Sequence, residues 1–207
     1  MGVVYDPTVS YAIYPKDITD QAGEKFTFAL WDVKKNRLVN TFESIYSNIK
    51  LLSVAAPMPV WSPDGSQFGL VGLFLKGQEV QFELFKVGKD GQTEQLTHLT
   101  DIAAPVGLVF SWSPDNSKIA MNLSSASYMK AEHAAILDLK SGQVTDYCVE
   151  KHGNPEKEPI WSPDGTQIIV YDQYTEKHSR AILIDIVQNF AAVIAEDMEP
   201  VGWLRNP

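Results

Sequence analysis

Three aspartates occupy the same place in three nearly identical pentapeptides: Trp61-Ser62-Pro63-Asp64-Gly65, Trp112-Ser113-Pro114-Asp115-Asn116 and Trp161-Ser162-Pro163-Asp164-Gly165. Recurring carboxylates suggest calcium. A calcium loop, however, needs several oxygen ligands close together, as in an Asp-x-Asp-x-Asp run, and no such run occurs. An aspartate beside proline and glycine bonds its own neighbouring backbone, so these acids read as turn formers. Asp32, Asp138 and Asp185, where apolar strands run into turns, read the same way.

The other chemistry-bearing residues are scattered. Counted from the preceding motif tryptophan, His98 lies 37 residues on, His133 21, His152 40 and His178 17. A shared metal needs equivalent positions or a local His-x-x-x-His pair, and neither is present. Cys148 lies among strand-like residues with no basic neighbour before Lys151, which fits a buried thiol rather than a reactive one. No Gly-x-Ser-x-Gly elbow exists. Asn122-Leu123-Ser124 matches a glycosylation acceptor but falls on an expected strand. Glu196, Asp197 and Glu199 form an acidic patch in a segment, 151–207, with five basic and nine acidic residues; a solvated loop is the simplest reading. These residue types assign no catalytic, cofactor-binding or metal-ligating residue, call for no cofactor, and leave the binding residues undetermined.

Composition narrows the partners. The 207 residues are 44% hydrophobic and 21% charged, with a formal net charge of -9. That is globular composition. The acidity argues against a nucleic-acid partner gripped through phosphate neutralisation, and against docking on anionic lipid. One cysteine excludes an internal disulfide and a multi-cysteine zinc site. The longest apolar candidate, 181–195, is broken by Asp185, Gln188 and Asn189, so membrane insertion is not expected. The first residues have neither a basic region nor an apolar run of the kind an export signal needs. The expectation is a cytoplasmic chain, or a mature or partial one whose export signal is missing.

The elements that must hold these residues repeat. The motif tryptophans are 51 and 49 residues apart. A worn copy starts at Val4-Tyr5-Asp6-Pro7-Thr8, read with the glycine position deleted, so that Tyr11 and Ile13 fall on Phe68 and Leu70. Pro200-Val201-Gly202-Trp203-Leu204 reads as the opening of a further copy, 42 residues after Trp161. A second landmark keeps step: an apolar strand reaches Asp32, Lys86, Asp138 and Asp185 at 27, 25, 26 and 24 residues from Tyr5, Trp61, Trp112 and Trp161.

Ser-Pro-Asp-Gly reads as a tight hairpin turn. Proline presets φ, and glycine accepts the left-handed conformation that follows. Asn116 tolerates that conformation; Thr8 tolerates it poorly, so the first copy is expected to turn differently. Ile119, Met121 and Leu123 alternate with Ala120 and Asn122, and Phe82 and Leu84 with Gln81 and Glu83, the period of half-buried antiparallel strands. Ile168-Ile169-Val170-Tyr171 is a continuous apolar run, as in a strand covered on both faces. Turn signals at Asp90-Gly91 and Ser141-Gly142 leave room for four strands per copy. That is the period of a propeller blade.

The Trp-Ser-Pro-Asp-Gly motif at this spacing, over residues 4–204, resembles the WD-like repeats of TolB-type β-propellers and of the propeller domains of prolyl oligopeptidase relatives. The resemblance implies an all-β fold: one β-propeller domain over 1–207, with repeats at about 1–50, 51–103, 104–155 and 156–199 and a trailing strand at 200–207. Such propellers usually have six or more blades. Four copies leave three readings: a closed four-bladed ring with the Trp203 strand completing the first blade, an open arc completed by another copy or protein, or part of a longer product. The leading functional reading is a non-catalytic interaction module, and the resemblance implies a place in the periplasm or outside the cell. Contacts with a protein or a small extracellular ligand would lie on rim loops, the long connections Asn40–Met58 and Tyr147–Pro159, or on an open edge that favours a protein partner or self-association. The motif tryptophans would pack between blades. The alternative is a propeller enzyme, or the substrate-gating part of a peptidase or carbohydrate-active enzyme. That reading needs a polar cluster in the channel, such as the metal-bound histidines of some related lyases, or the separate hydrolase domain that related peptidases carry.

Overall fold

The computed structural model describes residues 2–19, 25–43, 58–76, 79–99, 105–125, 133–147, 149, 157–173, 175 and 177–204. These form four antiparallel sheets of four strands each, with no α-helix among the described residues. The chain divides into two compact units, Met1–Ala104 and Pro105–Pro207.

The first unit holds two sheets. One runs β1 (Val4–Tyr5), β2 (Tyr11–Thr19), β3 (Lys25–Asp32) and β4 (Arg37–Glu43); the other runs β5 (Val60–Trp61), β6 (Gln67–Lys76), β7 (Glu79–Gly88) and β8 (Thr93–Gln95). The second unit holds β9 (Pro105–Trp112), β10 (Lys118–Ser125), β11 (His133–Asp138) and β12 (Val144–Asp146). Its other sheet is β13 (Ile160–Trp161), β14 (Gln167–Gln173), β15 (Ser179–Asp185) and β16 (Phe190–Glu196). Each strand pairs with its neighbour in sequence, because short turns let a strand fold straight back.

The register corrects the reading of the first copy. Tyr5 pairs with Ala12 as Trp61 pairs with Phe68 and Trp161 with Ile168. No residue is deleted: Val9 stands where Gly65, Asn116 and Gly165 stand. It takes the same left-handed conformation, with φ of 54° against 65°, 60° and 71°. The turn is also the same, since the Val9 amide bonds Asp6 O at 2.9 Å as the Gly165 amide bonds Ser162 O at 2.9 Å.

Within each unit the two sheets enclose a core. In the first, Ile13, Phe28 and Leu30 of the first sheet meet Trp61, Phe68, Leu70 and Val87 of the second. Phe68 takes Trp61 and Phe42 edge-on, at 5.3 and 5.4 Å between ring centres. In the second unit, Ala120, Ala134 and Ile136 meet Trp161, Ile168, Val170, Ile182 and Ile184. The middle strands are buried on both faces. Ile119, Ala120, Met121 and Asn122 are all buried, and so are Phe82, Glu83 and Leu84. The half-exposed strands expected from the alternation of polar residues are absent here. Glu83 is tolerated inside because its Oε2 accepts from the Thr97 hydroxyl at 2.6 Å and the Leu99 amide at 3.0 Å, as a buried charge requires. Residues 201–204 form no strand, and the inner place in the first sheet is already filled by β1. The expected trailing strand is thus not formed over its described part.

Candidate functional site

The turn acids are consumed by their own turns. Asp64, Asp115 and Asp164 each accept the hydroxyl of the serine two residues earlier, Ser62, Ser113 and Ser162, at 2.7, 2.7 and 2.6 Å. Each also accepts the amide and hydroxyl two residues later, from Ser66, Ser117 and Thr166. The Ser113 hydroxyl and the Ser117 amide and hydroxyl draw the Asp115 carboxyl from an ordinary 3.8 down to about 2. The equivalent donors, Ser62 and Ser66 for Asp64 and Ser162 and Thr166 for Asp164, lower those carboxyls as well. Asp32, Asp138 and Asp185 cap the hairpins that follow their strands. They accept from the amides of Lys35, Ser141 and Gln188 at 2.9, 2.8 and 2.7 Å.

The other singled-out residues are dispersed. His98 contacts Gln95 after β8, His133 pairs with Asp146 between β11 and β12, and His178 pairs with Asp197 beside β15. They lie on three different sheets, and among the described residues no three His, Cys, Asp or Glu side chains gather at metal-ligand spacing. Cys148 and His152 lie outside the described residues. Of the acidic patch, Asp197 serves His178 and the Ser179 amide, and Glu199 pairs with Lys157. Asn122 is fully buried and donates to Lys157 O at 2.8 Å, so its amide is closed to glycosylation. Lys157 itself stands over the Tyr171 ring at 4.4 Å; this small polar seam fastens the approach to β13 onto the third sheet. The connections Asn40–Met58 and Tyr147–Pro159 fall largely outside the described residues.

The tryptophans show a relation that their spacing does not reveal. The Trp161 indole N–H donates to Ser111 O, one residue before Trp112, at 3.2 Å. Trp61 reaches Val4 O, one residue before Tyr5, at 3.5 Å, and Trp203 reaches Ile160 O, one residue before Trp161, at 3.2 Å. Each indole thus lies over the inner strand of the preceding sheet. Trp61 and Trp161 are 7% and 9% exposed, whereas Tyr5 is 51% exposed.

Tyr5 opens onto a cleft of about 340 Å³ on the first sheet, lined by Val3, Tyr5, Ala12, Tyr14, Trp31 and Val33. Tyr14 sits at the register place of the buried Leu70 and Val170, and Trp31 at that of Val87 and Ile184. The cleft is therefore the face that, in the second and fourth sheets, a preceding sheet covers. Its size lies near the lower end of ligand clefts, roughly 300–1,000 Å³, and its lining is mostly rings and methyl groups, with two tyrosine phenols and the Asn36 amide as polar groups and no carboxylate, amine or imidazole. It suits side chains or a flat apolar group. The alternation pattern gave no notice of it, since Tyr14 and Trp31 look like core residues until the missing cover is seen.

No protein-family model and no curated protein matches the sequence. Several solved structures match in shape. TolB from Acinetobacter baumannii aligns with a TM-score of 0.58 at 15% identity, covering 91% of this chain and 41% of that one. An oligogalacturonate lyase in complex with manganese aligns at 0.61 and 12%, covering 94% and 52%. The β-propeller domain of the Trilobed protease from Pyrococcus furiosus, described as having an open velcro topology, aligns at 0.58 and 14%, covering 91% and 55%. The chain thus spans about half the length of these proteins or less. At such identities the likeness establishes the fold alone: an all-β β-propeller architecture of four-stranded antiparallel blades, similar in structure to TolB.

Proposed function

We propose that this protein is a non-catalytic interaction module that binds a protein partner through the aromatic face of its first sheet. The observation that carries the reading is that Tyr5 is exposed and Tyr14 and Trp31 are only half-buried, at register places that are buried under a neighbouring sheet elsewhere in the chain. A contiguous apolar face of this kind marks a contact surface in soluble proteins. Aromatic side chains also provide much contact area at low entropic cost. The aspartates of the repeated turns and hairpins support it from the other side, since Asp64, Asp115, Asp164, Asp32, Asp138 and Asp185 are engaged by their own turns and caps. The rim connections Asn40–Met58 and Tyr147–Pro159 are the second contact element of this reading.

The alternative, a propeller enzyme or the gating part of one, draws on the lyase and protease among the similar structures. It needs converging polar groups. The described histidines stand on separate sheets, and the Lys157 seam is held together by its own members.

A benzophenone side chain installed at Tyr14 tests the proposal in cells. Light is expected to give an adduct with a protein, identified by mass spectrometry, and Trp31→Asp is expected to remove it. Adducts no stronger than those from the same probe in the exposed turn at Lys140 would overturn the reading.

A further inference from the structure

The two ends of the repeat carry matching surfaces. Between two successive sheets of a unit, one indole lies over the inner strand: Trp61 on Val4 O and Trp161 on Ser111 O. The first sheet offers only Tyr5, 51% exposed, beside the cleft of about 340 Å³. The fourth sheet brings its own indole, because Trp203 already bonds Ile160 O. Held there by Trp203, Val201 and Leu204 are 94% and 98% exposed. One surface lacks the bulk that such a seam requires, and the other displays it.

Resting on the interaction-module reading, we infer that the partner is a second copy of this chain. The Val201–Leu204 segment on the fourth sheet of one copy enters the Tyr5–Trp31 cleft on the first sheet of the next. The contact continues the inter-sheet interface already present within each unit: Ile13 and Leu30, which cover Trp61 and Phe68, correspond in register to Ile169 and Leu183 of the fourth sheet. Each copy uses a different surface at its two ends, so the association is head-to-tail and gives a ring or a chain of copies.

The test uses the full chain and two variants, Val33→Asp in the cleft and Leu204→Asp on the segment. Both positions are exposed, and thermal melting checks that the folds are kept. Sedimentation velocity is expected to show concentration-dependent association of the unaltered protein and a monomer for each variant alone. An equimolar mixture of the variants is expected to give a one-to-one dimer, because one intact cleft and one intact segment remain between them. A monomeric unaltered protein, association that survives both substitutions, or a mixture that stays monomeric would each overturn the inference. Adducts from the Tyr14 probe separate the two proposals. A different protein captured by a monomeric chain ends the head-to-tail inference and leaves the interaction reading standing, whereas no adduct ends both.

Discussion

Thr8 donates its hydroxyl to Asp6 Oδ2 at 2.6 Å, reversing the bond that Ser162 donates to Asp164 at 2.6 Å. Acid and hydroxyl have exchanged places in the first turn, and the bond between the two positions is kept. Asp6 also accepts the Ser10 and Tyr11 amides at 2.6 and 2.7 Å. In the other turns one of these roles falls to the serine hydroxyl, which takes the Gln67, Lys118 or Gln167 amide. Burial pushes the Asp6 carboxyl up, but the bonds from Thr8, Tyr11 and Ser10 outweigh it and hold the group low.

This anchoring explains how Val9, a β-branched residue, is kept at a φ of 54°. The left-handed region costs an L-residue roughly 1–2 kcal/mol, partly offset by the entropy that glycine loses on folding. Val9 is exposed and contributes little packing. Val9→Gly is therefore expected to stabilise the protein by about 0.5–1 kcal/mol, read from the urea unfolding midpoint. An unchanged or lower midpoint would show that the turn carries no strain.

Ser162→Ala removes the bond to Asp164 and leaves the Gln167 amide without its 2.9 Å acceptor. Ser162 is buried. A loss of about 1–3 kcal/mol is expected, the range for stranding a buried polar group, measured by equilibrium denaturation. Ser66→Ala, at an exposed site, should cost less.

The tryptophans are expected to be structural. Trp112→Ala should destabilise by about 3–5 kcal/mol, the usual range for truncating a buried aromatic. Trp161→Phe keeps most of the ring but loses the indole bond to Ser111 O, so about 0.5–1.5 kcal/mol beyond any repacking cost is expected. Melting curves that place Trp112→Ala within about 1 kcal/mol of the parent would reject the packing role.

Acid should weaken the turns together. The Ser113 and Ser117 bonds hold the folded Asp115 carboxyl at about 2, below the 3.8 of the free group. The bonds therefore stabilise the fold fully above 3.8, and that contribution is lost as the pH falls through about 2. Asp64 and Asp164 shift in the same direction. Urea midpoints measured from pH 5 downward should fall over this window, and Ser113→Ala should reduce the slope. A flat profile would mean that these carboxylates titrate alike in the folded and unfolded chains.

Much of the architecture was legible from local chemistry. Trp-Ser-Pro-Asp-Gly names a turn because each residue type acts on its own neighbours, and the aspartate landmarks mark hairpins for the same reason. Four strands to a repeat followed from that punctuation. The first copy misled because a pattern read by residue type sees a missing glycine. The backbone sees only a position, which the Asp6 bonds hold for Val9. The buried places of Glu83 and Asn122 were hidden likewise, since alternation reports one buried face and in these strands both faces are buried.

The one-dimensional pattern set the turns, the strand count and the repeat, all governed by contacts within a few residues. Which repeated positions are covered was decided by the stacking of sheets. Tyr14 and Leu70 are equivalent along the chain, yet only Leu70 lies under a neighbouring sheet. Burial is a property of what stands opposite a side chain, and for Tyr5, Tyr14 and Trp31 that is settled by residues far away in sequence.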